Sequence, residues 1–216
     1  MSTSKLSPRA AHALLHVTVF VWGFTAILGR LISISAVPLV WYRLLIVIPV
    51  MALVLRLKKQ SFFTKPKTQR AFWAIGVLVA LHWLCFYGCI KYAGVAVAVL
   101  CLSSLTFFTA LIEPLVFKRG VVVAELLIGV AAVGGVSLLV KFETNATPMG
   151  LGLGLLSSLF SAGFGTLNGV WAQGEPAERV TLHELTSALL VTSLAFAVWD
   201  FVPPWALSAS DGLWLM

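Results

Sequence analysis

Charge is scarce in this sequence. Only 11% of the 216 residues are Asp, Glu, Lys or Arg, whereas 60% are hydrophobic. Soluble domains carry about 25% charged and about 45–50% apolar residues. One water-soluble core cannot accommodate this excess of apolar residues. The composition therefore excludes a soluble globular domain and predicts an integral membrane protein.

Cysteine and acidic residues are scarce too. The three cysteines, Cys85, Cys89 and Cys101, all lie inside apolar stretches, which is not the pattern of a disulfide framework. The sequence contains eight acidic and fifteen basic residues, which gives a net charge of +7. The basic residues lie between apolar runs, so we interpret them as signals of membrane orientation and expect no nucleic-acid partner.

Long apolar runs predict seven membrane spans, since a span needs about 20 mostly apolar residues. An eighth span begins near Asp211. The first run follows Lys5 and Arg9 as a secretory signal would, but it is long and has no A-x-A cleavage site, so we interpret it as an uncleaved helix. The fold class is therefore an all-α polytopic helix bundle. The predicted spans are residues 11–31, 38–57, 71–90, 95–117, 121–140, 149–172 and 182–201.

The distribution of Lys and Arg predicts the orientation. A cytoplasmic N-terminus leaves only Arg30, Lys91 and Lys141 outside, with Arg43 inside a span. This bias follows the positive-inside rule, so we expect a multi-pass protein of the inner or plasma membrane. The basic residues then on the cytoplasmic side are Lys5, Arg9, Arg56, Lys58, Lys59, Lys65, Lys67, Arg70, Lys118, Arg119 and Arg179.

A polar stripe marks the passage 87–119. The chain turns at Ala93-Gly94 and enters a second helix that ends on Lys118-Arg119. Spacings of three and four residues place one set of side chains on a single face of that helix, and we expect this face to line a pathway. The set is Ser103, Thr106, Ala110, Glu113 and Phe117.

An internal repeat relates the two parts of the chain. Residues 19–31 (VFVWGFTAILGRL) match residues 159–171 (LFSAGFGTLNGVW) at an offset of 140, and residues 37–49 match residues 180–192 at an offset of 143. The offset spans five helices. Because five is odd, the second copy enters the membrane inverted, as in the inverted repeats of secondary transporters.

Three motifs then identify a resemblance. Trp22-Gly23-Phe24 in span one, Trp41-Tyr42-Arg43 at the start of span two, and the passage 87–117 resemble EamA-type members of the drug/metabolite transporter superfamily. The resemblance implies a ten-span fold of two inverted five-helix halves. It assigns residues 1–145 to the first repeat and 146–216 to an incomplete second repeat, so the chain is expected to be truncated after its seventh span.

The resemblance also implies a function. We expect a secondary transporter, not an enzyme, that exports small metabolites or amino acids by alternating access, with a proton as the coupling ion. Two departures, Thr106-Phe107 where the family usually has proline and Lys118-Arg119-Gly120 where it has Gly-Glu, weaken any transfer of substrate. The expected partners are a small-molecule substrate and the lipid bilayer, and a homodimer is kept open. No cofactor is expected.

Ionisable groups inside a span are costly, so each needs a reason. Arg43 either snorkels outward or faces a cavity and holds an anionic substrate group. Glu113 either pairs with Lys118 or Arg119 or binds a proton or substrate. His82 shares a face with two cysteines but lacks a fourth ligand, so no metal is expected; it is hydrogen-bonded to a neighbouring helix or accepts a proton in a cavity. The candidate substrate-binding residues are Trp22, Arg43, His82, Tyr87, Ser103, Thr106, Glu113 and Asn168.

Other functional classes fit less well. A retinal protein needs a Schiff-base lysine in its last span, and residues 182–201 contain none. A membrane enzyme needs a catalytic cluster, and no such spacing occurs within the spans. A non-transporting fragment or membrane assembly partner remains as the alternative to a transporter.

Overall fold

Helices make up most of the described chain. The computed structural model describes residues 7–140, 147–199 and 207–215, and within these ranges it contains eight α-helices and no strand. An all-α membrane helix bundle is therefore confirmed. The helices are α1 (Pro8–Leu31), α2 (Ala36–Leu57), α3 (Pro66–Leu102), α4 (Leu105–Phe117), α5 (Val123–Val140), α6 (Pro148–Trp171), α7 (Ala177–Trp199) and α8 (Ala209–Leu215).

Most helices correspond to the predicted spans with shifts of a few residues at their ends, but predicted span four (95–117) is divided between the end of α3 and α4. Five of the described helices, α1, α2, α3, α6 and α7, are long and apolar enough to cross a membrane, while α4 and α5 are shorter apolar helices. The start predicted for span three at residue 71 moves back to Pro66. The predicted end of span seven at residue 201, together with Lys5 and Lys141, lies outside the described residues.

The turn predicted at Ala93-Gly94 is confirmed. Gly94 adopts φ 89° and ψ 169°, a conformation open to glycine but strained for other residues, and it kinks α3. The expectation of one uninterrupted helix after this turn is wrong at Ser103-Ser104. There the Ser103 and Ser104 amides donate to carbonyls three residues back, both at 3.0 Å, and the Ser103 hydroxyl donates to the Leu100 carbonyl at 2.6 Å. Local serine hydrogen bonds of this kind compete with the regular helix.

Helix α3 is the centre of the bundle. It packs most extensively against α6 and α7, and it also contacts α1, α2 and α5. Small residues allow the close approach. A methyl group at Gly154 of α6 would lie 2.7 Å from the Cys101 sulfur, and one at Gly76 of α3 would overlap the backbone carbonyl of Glu184 in α7. The recurrence of glycine on these faces therefore has a packing role.

Two groups of connections lie at opposite ends of the bundle. At one end the α2–α3 connection touches the α6–α7 connection through the Thr64 hydroxyl and Glu175, and the start of α7 through the Arg179 Nε, which donates to the Ser61 carbonyl at 2.8 Å. We call this the basic end, because the connection between α2 and α3 carries most of the lysines nearby. At the other end, Ser33 of the α1–α2 connection binds Asp211 of α8 at 2.6 Å.

The close approach at Gly76 can be tested. We expect Gly76→Ala to lower the free energy of unfolding by about 1–3 kcal/mol, because the added methyl group overlaps the Glu184 carbonyl and lies 2.6 Å from the Ser187 Cβ. The measurement is thermal unfolding of the detergent-purified protein. Gly134→Ala is the matched control, since nothing lies within 4 Å of a Cβ at that position. Equal stability of the two variants would contradict the packing role of Gly76.

Candidate functional site

Arg43 points into the bundle and meets Tyr87. The Arg43 Nη1 donates to the Tyr87 hydroxyl at 2.5 Å, and the guanidinium carbon lies 5.8 Å from the centre of the Tyr87 ring. Tyr87 is 5% exposed because its ring packs against Gly29 of α1, where a Cβ would lie 2.6 Å from the ring. The sequence left open whether Arg43 snorkels outward or faces inward. Its contact with the buried Tyr87 shows that the side chain faces inward.

His82 joins α3 to α6. Its Nδ1 lies 2.9 Å from both the carbonyl and the hydroxyl oxygen of Ser157. The imidazole centre is 5.5 Å from the Phe164 ring and 6.0 Å from the Phe86 ring. A histidine hydrogen-bonded to a neighbouring helix is therefore what the structure contains.

Phe86 lies between the Arg43–Tyr87 contact and His82. Its ring lies 5.5 Å from the Tyr87 ring and 6.0 Å from the His82 ring. We call Arg43, Tyr87, Phe86, His82 and Phe164 the aromatic cluster. One of the five N–H donors of Arg43 is used on Tyr87, and the remaining donors are of the kind that binds a carboxylate or phosphate in a planar, two-pronged manner. The cluster therefore places a guanidinium beside aromatic rings.

Glu113 lies elsewhere, in an ion-pair group. Arg119 Nη2 lies 2.5 Å from a carboxylate oxygen of Glu113 and 2.8 Å from one of Glu125. This is the pairing with Arg119 that the sequence offered as one interpretation. All three side chains are partly exposed, so solvent screens these ion pairs and they add little to stability.

Three further candidates lie on the outer surface of the described structure. Trp22 is 66% exposed on α1, and Ser103 and Thr106 are exposed as well. Of the predicted stripe, Ala110 is buried, and the other buried positions of this segment are Pro114 of α4 and Ser104 just before it. The structure therefore does not bring these three candidates together with the aromatic cluster.

Asn168 meets a residue that sequence reasoning missed. Its side chain lies beside the carboxyl group of Glu184 in α7, without a hydrogen bond of ordinary geometry between the described atoms, and Glu184 is only 7% exposed. The sequence did contain a signal. Glu184 falls inside the predicted span 182–201, and a carboxyl group in a span demands an explanation.

Neither the pockets nor the possible metal ligands of the described residues point to a further site. Two pockets among the described residues lie beside Arg70 and Trp73 and between α3, α5 and α6, and neither is lined by a candidate residue. Within the same residues, no three His, Cys, Asp or Glu side chains are placed to hold a metal ion.

The basic end contains a network of polar contacts outside the spans. Thr64 donates its hydroxyl to a Glu175 carboxylate oxygen at 2.5 Å, and the Arg179 Nη1 lies 2.7 Å from the other oxygen. The Thr64 hydrogen bond, and next the Arg179 guanidinium, hold the pKa of Glu175 below its ordinary value of 4.5. The network joins the α2–α3 connection to the α6–α7 connection.

This network predicts an acid-dependent loss of stability. Because the pKa of Glu175 is lower in the folded protein, its contribution is complete above the unfolded value and is lost as pH falls through the folded value. We expect Glu175→Gln to be less stable than wild type at neutral pH by at most about 1 kcal/mol. The difference in unfolding temperature should vanish under acid.

Thr64→Val is the informative control for the acid effect. This variant removes the largest cause of the lowered pKa, so the pKa of Glu175 in the folded protein should rise. The pH at which the stabilisation by Glu175 is fully lost should therefore be higher than in the wild type. If Glu175→Gln and wild type differ equally from neutral pH down to full acid, the ionised Glu175 does not stabilise this end.

Comparison with known proteins gives one match. Residues 9–141 match the EamA-like transporter family. No curated protein and no solved structure matches the chain.

Proposed function

Because the chain belongs to the EamA-like transporter family, with the match covering more than half of its residues, we propose that it is a secondary transporter of small metabolites or amino acids. In this proposal the protein works as an exporter, by alternating access, with a proton as the coupling ion. The family consists of transporters and not enzymes, and the long apolar helices make this chain a multi-pass membrane protein.

The observation that carries the substrate proposal is the inward-facing Arg43. A cation inside a membrane protein is costly, and Tyr87 offers a neutral hydroxyl rather than a neutralising carboxylate. An anionic substrate group would supply the missing charge. Amino acids and many metabolites carry a carboxylate, and Phe86 and Phe164 could contact their apolar parts. Of the remaining candidates, His82, Tyr87 and Asn168 stay in the proposed site, while Trp22, Ser103, Thr106 and Glu113 would require a contact absent from the described arrangement.

The proposed orientation follows from charge. The basic end faces the cytoplasm, the N-terminus lies on the same side, and the membrane is the plasma membrane. Anionic lipid headgroups on that side attract Lys and Arg next to a span, which supports this direction. No nucleic-acid partner is proposed.

A second candidate function is a non-transporting fragment or membrane assembly partner. Its support is the exposed apolar surface of α1, which includes Phe20 at 70% and Trp22 at 66% exposure, and the outward position of Ser103 and Thr106. Lipid, a further helix or a second copy in a homodimer could cover this surface.

Transport by the purified chain tests the first proposal. We expect exchange of isotopically labelled amino acids or other carboxylate metabolites across vesicle membranes containing the protein. Arg43→Ala should raise the half-saturating substrate concentration roughly 10- to 100-fold, since a hydrogen bond to a charged group contributes about 1.5–3 kcal/mol.

Arg30→Ala is the matched control, because Arg30 is an exposed cation at the end of α1. It should leave the half-saturating concentration unchanged. Absence of transport across the whole substrate panel would favour the assembly-partner function. Transport with an unaltered half-saturating concentration in Arg43→Ala would remove Arg43 from the substrate site.

A further inference from the structure

Glu184 lies where three helices meet. It belongs to α7, its side chain is 7% exposed, and its backbone carbonyl is so close to Gly76 of α3 that no Cβ would fit between them. One turn later in α7, the Ser187 hydroxyl donates to the Trp73 carbonyl of α3 at 2.6 Å. From α6, the Asn168 side chain lies beside the Glu184 carboxyl group. The Glu184 side chain is therefore buried where α7 packs closely against α3, with the Asn168 amide beside it.

The hydrogen bonds around Glu184 are incomplete. Its Oε1 is buried and has no hydrogen-bond partner among the described residues, and the same is true of the Asn168 Oδ1. Both atoms are acceptors, and an ionised carboxylate adds no donor. Leaving such acceptors unsatisfied away from water costs about 1–3 kcal/mol each, and more for a charged group. A single proton on the carboxyl group would supply the missing donor and remove the charge.

Charged groups on the surrounding elements have other partners or are exposed. Helix α6 contains no titratable residue at all. Arg56 at the end of α2 and Lys59 just after that helix are exposed. The other contacts are Lys58 with Glu178, Lys67 over the Trp171 ring, Arg70 with the Pro66 carbonyl, Arg179 with Glu175, and His183 with the Phe62 carbonyl.

We propose that Glu184, which lies beside Asn168, is the proton-binding site through which transport is coupled to a proton gradient. The inference rests on the proposed transport function and names the group that carries the proton. The step is a simple one: the carboxylate takes a proton from water to become the neutral acid, and returns it to water when the site opens.

The geometry explains why proton binding would be linked to conformation. An unpaired carboxylate is costly in an apolar environment, so the packed arrangement of α3, α6 and α7 favours the neutral acid. Ionisation favours an arrangement in which water reaches the carboxylate. Glu184 lies seven residues from the start of α7, about 10 Å along the axis, so separation of helices at the basic end would expose it.

Infrared spectroscopy tests proton binding without any substrate. In membranes containing the wild-type protein at neutral pH, we expect the C=O stretch of a protonated carboxyl group, since exposed carboxyl groups are ionised there. This band should be lost in Glu184→Gln and kept in Glu178→Gln, whose carboxylate pairs with Lys58. Asn168→Leu should shift its frequency. Absence of the band in wild type, or its persistence in Glu184→Gln, would overturn the proposal.

Vesicle transport tests the coupling. With labelled amino acids as the probe, an imposed difference of about one pH unit should change the wild-type accumulation ratio about tenfold for one proton per substrate. Glu184→Gln should exchange substrate with no response to the gradient. A full response in Glu184→Gln would refute the coupling role. If no form transports anything but the infrared band behaves as expected, the transport function fails while the proton-binding site stands.

Discussion

The architecture depends on how closely α3 approaches its neighbours. Inside a bilayer, lipid tails are as apolar as leucine, so helices associate through van der Waals contact and hydrogen bonds instead of a hydrophobic driving force. Gly76 brings the α7 backbone against α3, and Gly154 brings α6 against the cysteines near the kink. At these distances serine hydroxyls can reach the carbonyls of the next helix, as Ser158 does with Cys101 at 2.6 Å. Close packing and interhelical hydrogen bonding are therefore one feature.

In so closely packed an interior, a buried polar group without a hydrogen-bond partner requires an explanation. His82 contacts Ser157, and Arg43 contacts Tyr87. Glu184 and Asn168 differ from these groups, because each retains a buried acceptor without a described partner. Among the described residues, buried oxygens without a partner also occur at Gln60, Ser104 and Thr166, but the Ser104 and Thr166 hydroxyls carry their own donor. At Glu184 the carboxylate has no donor of its own, and a deficit of donors is what a proton can fill.

Much of the fold could be predicted from sequence, because the membrane imposes simple rules. Helix lengths follow bilayer thickness, and the conformational freedom of Gly94 marked the turn between spans three and four. The interruption at Ser103-Ser104 was missed because serine has no obligatory helix-breaking effect; its hydroxyl bonds local carbonyls only in some contexts. Helix-face periodicity also could not tell which side of the fourth span would turn inward.

The candidate site was predicted only in part for a related reason. Arg43 and His82 stood out as polar residues within apolar runs, but their partners lie on other helices, more than 40 residues away. Glu184 was overlooked because it lies close to the predicted start of a span, where a carboxyl group can reach water. Its burial arises from α3 and α6, which pack over it, and no local pattern encodes that packing.

The two ends of the bundle differ in what holds them. At the basic end, the contacts include pairs such as Lys58 with Glu178, whose lysine is half exposed to solvent. At the opposite end, Asp211 is 2% exposed and accepts hydrogen bonds from both the amide and the hydroxyl of Ser33 at 2.6 Å. Exposed ion pairs contribute on the order of 1 kcal/mol or less, whereas breaking a buried, hydrogen-bonded carboxylate leaves its charge uncompensated. An exposed pair such as Lys58 with Glu178 therefore resists separation of the helices less than the buried Asp211 contact does, and it lies at the end nearer to Glu184.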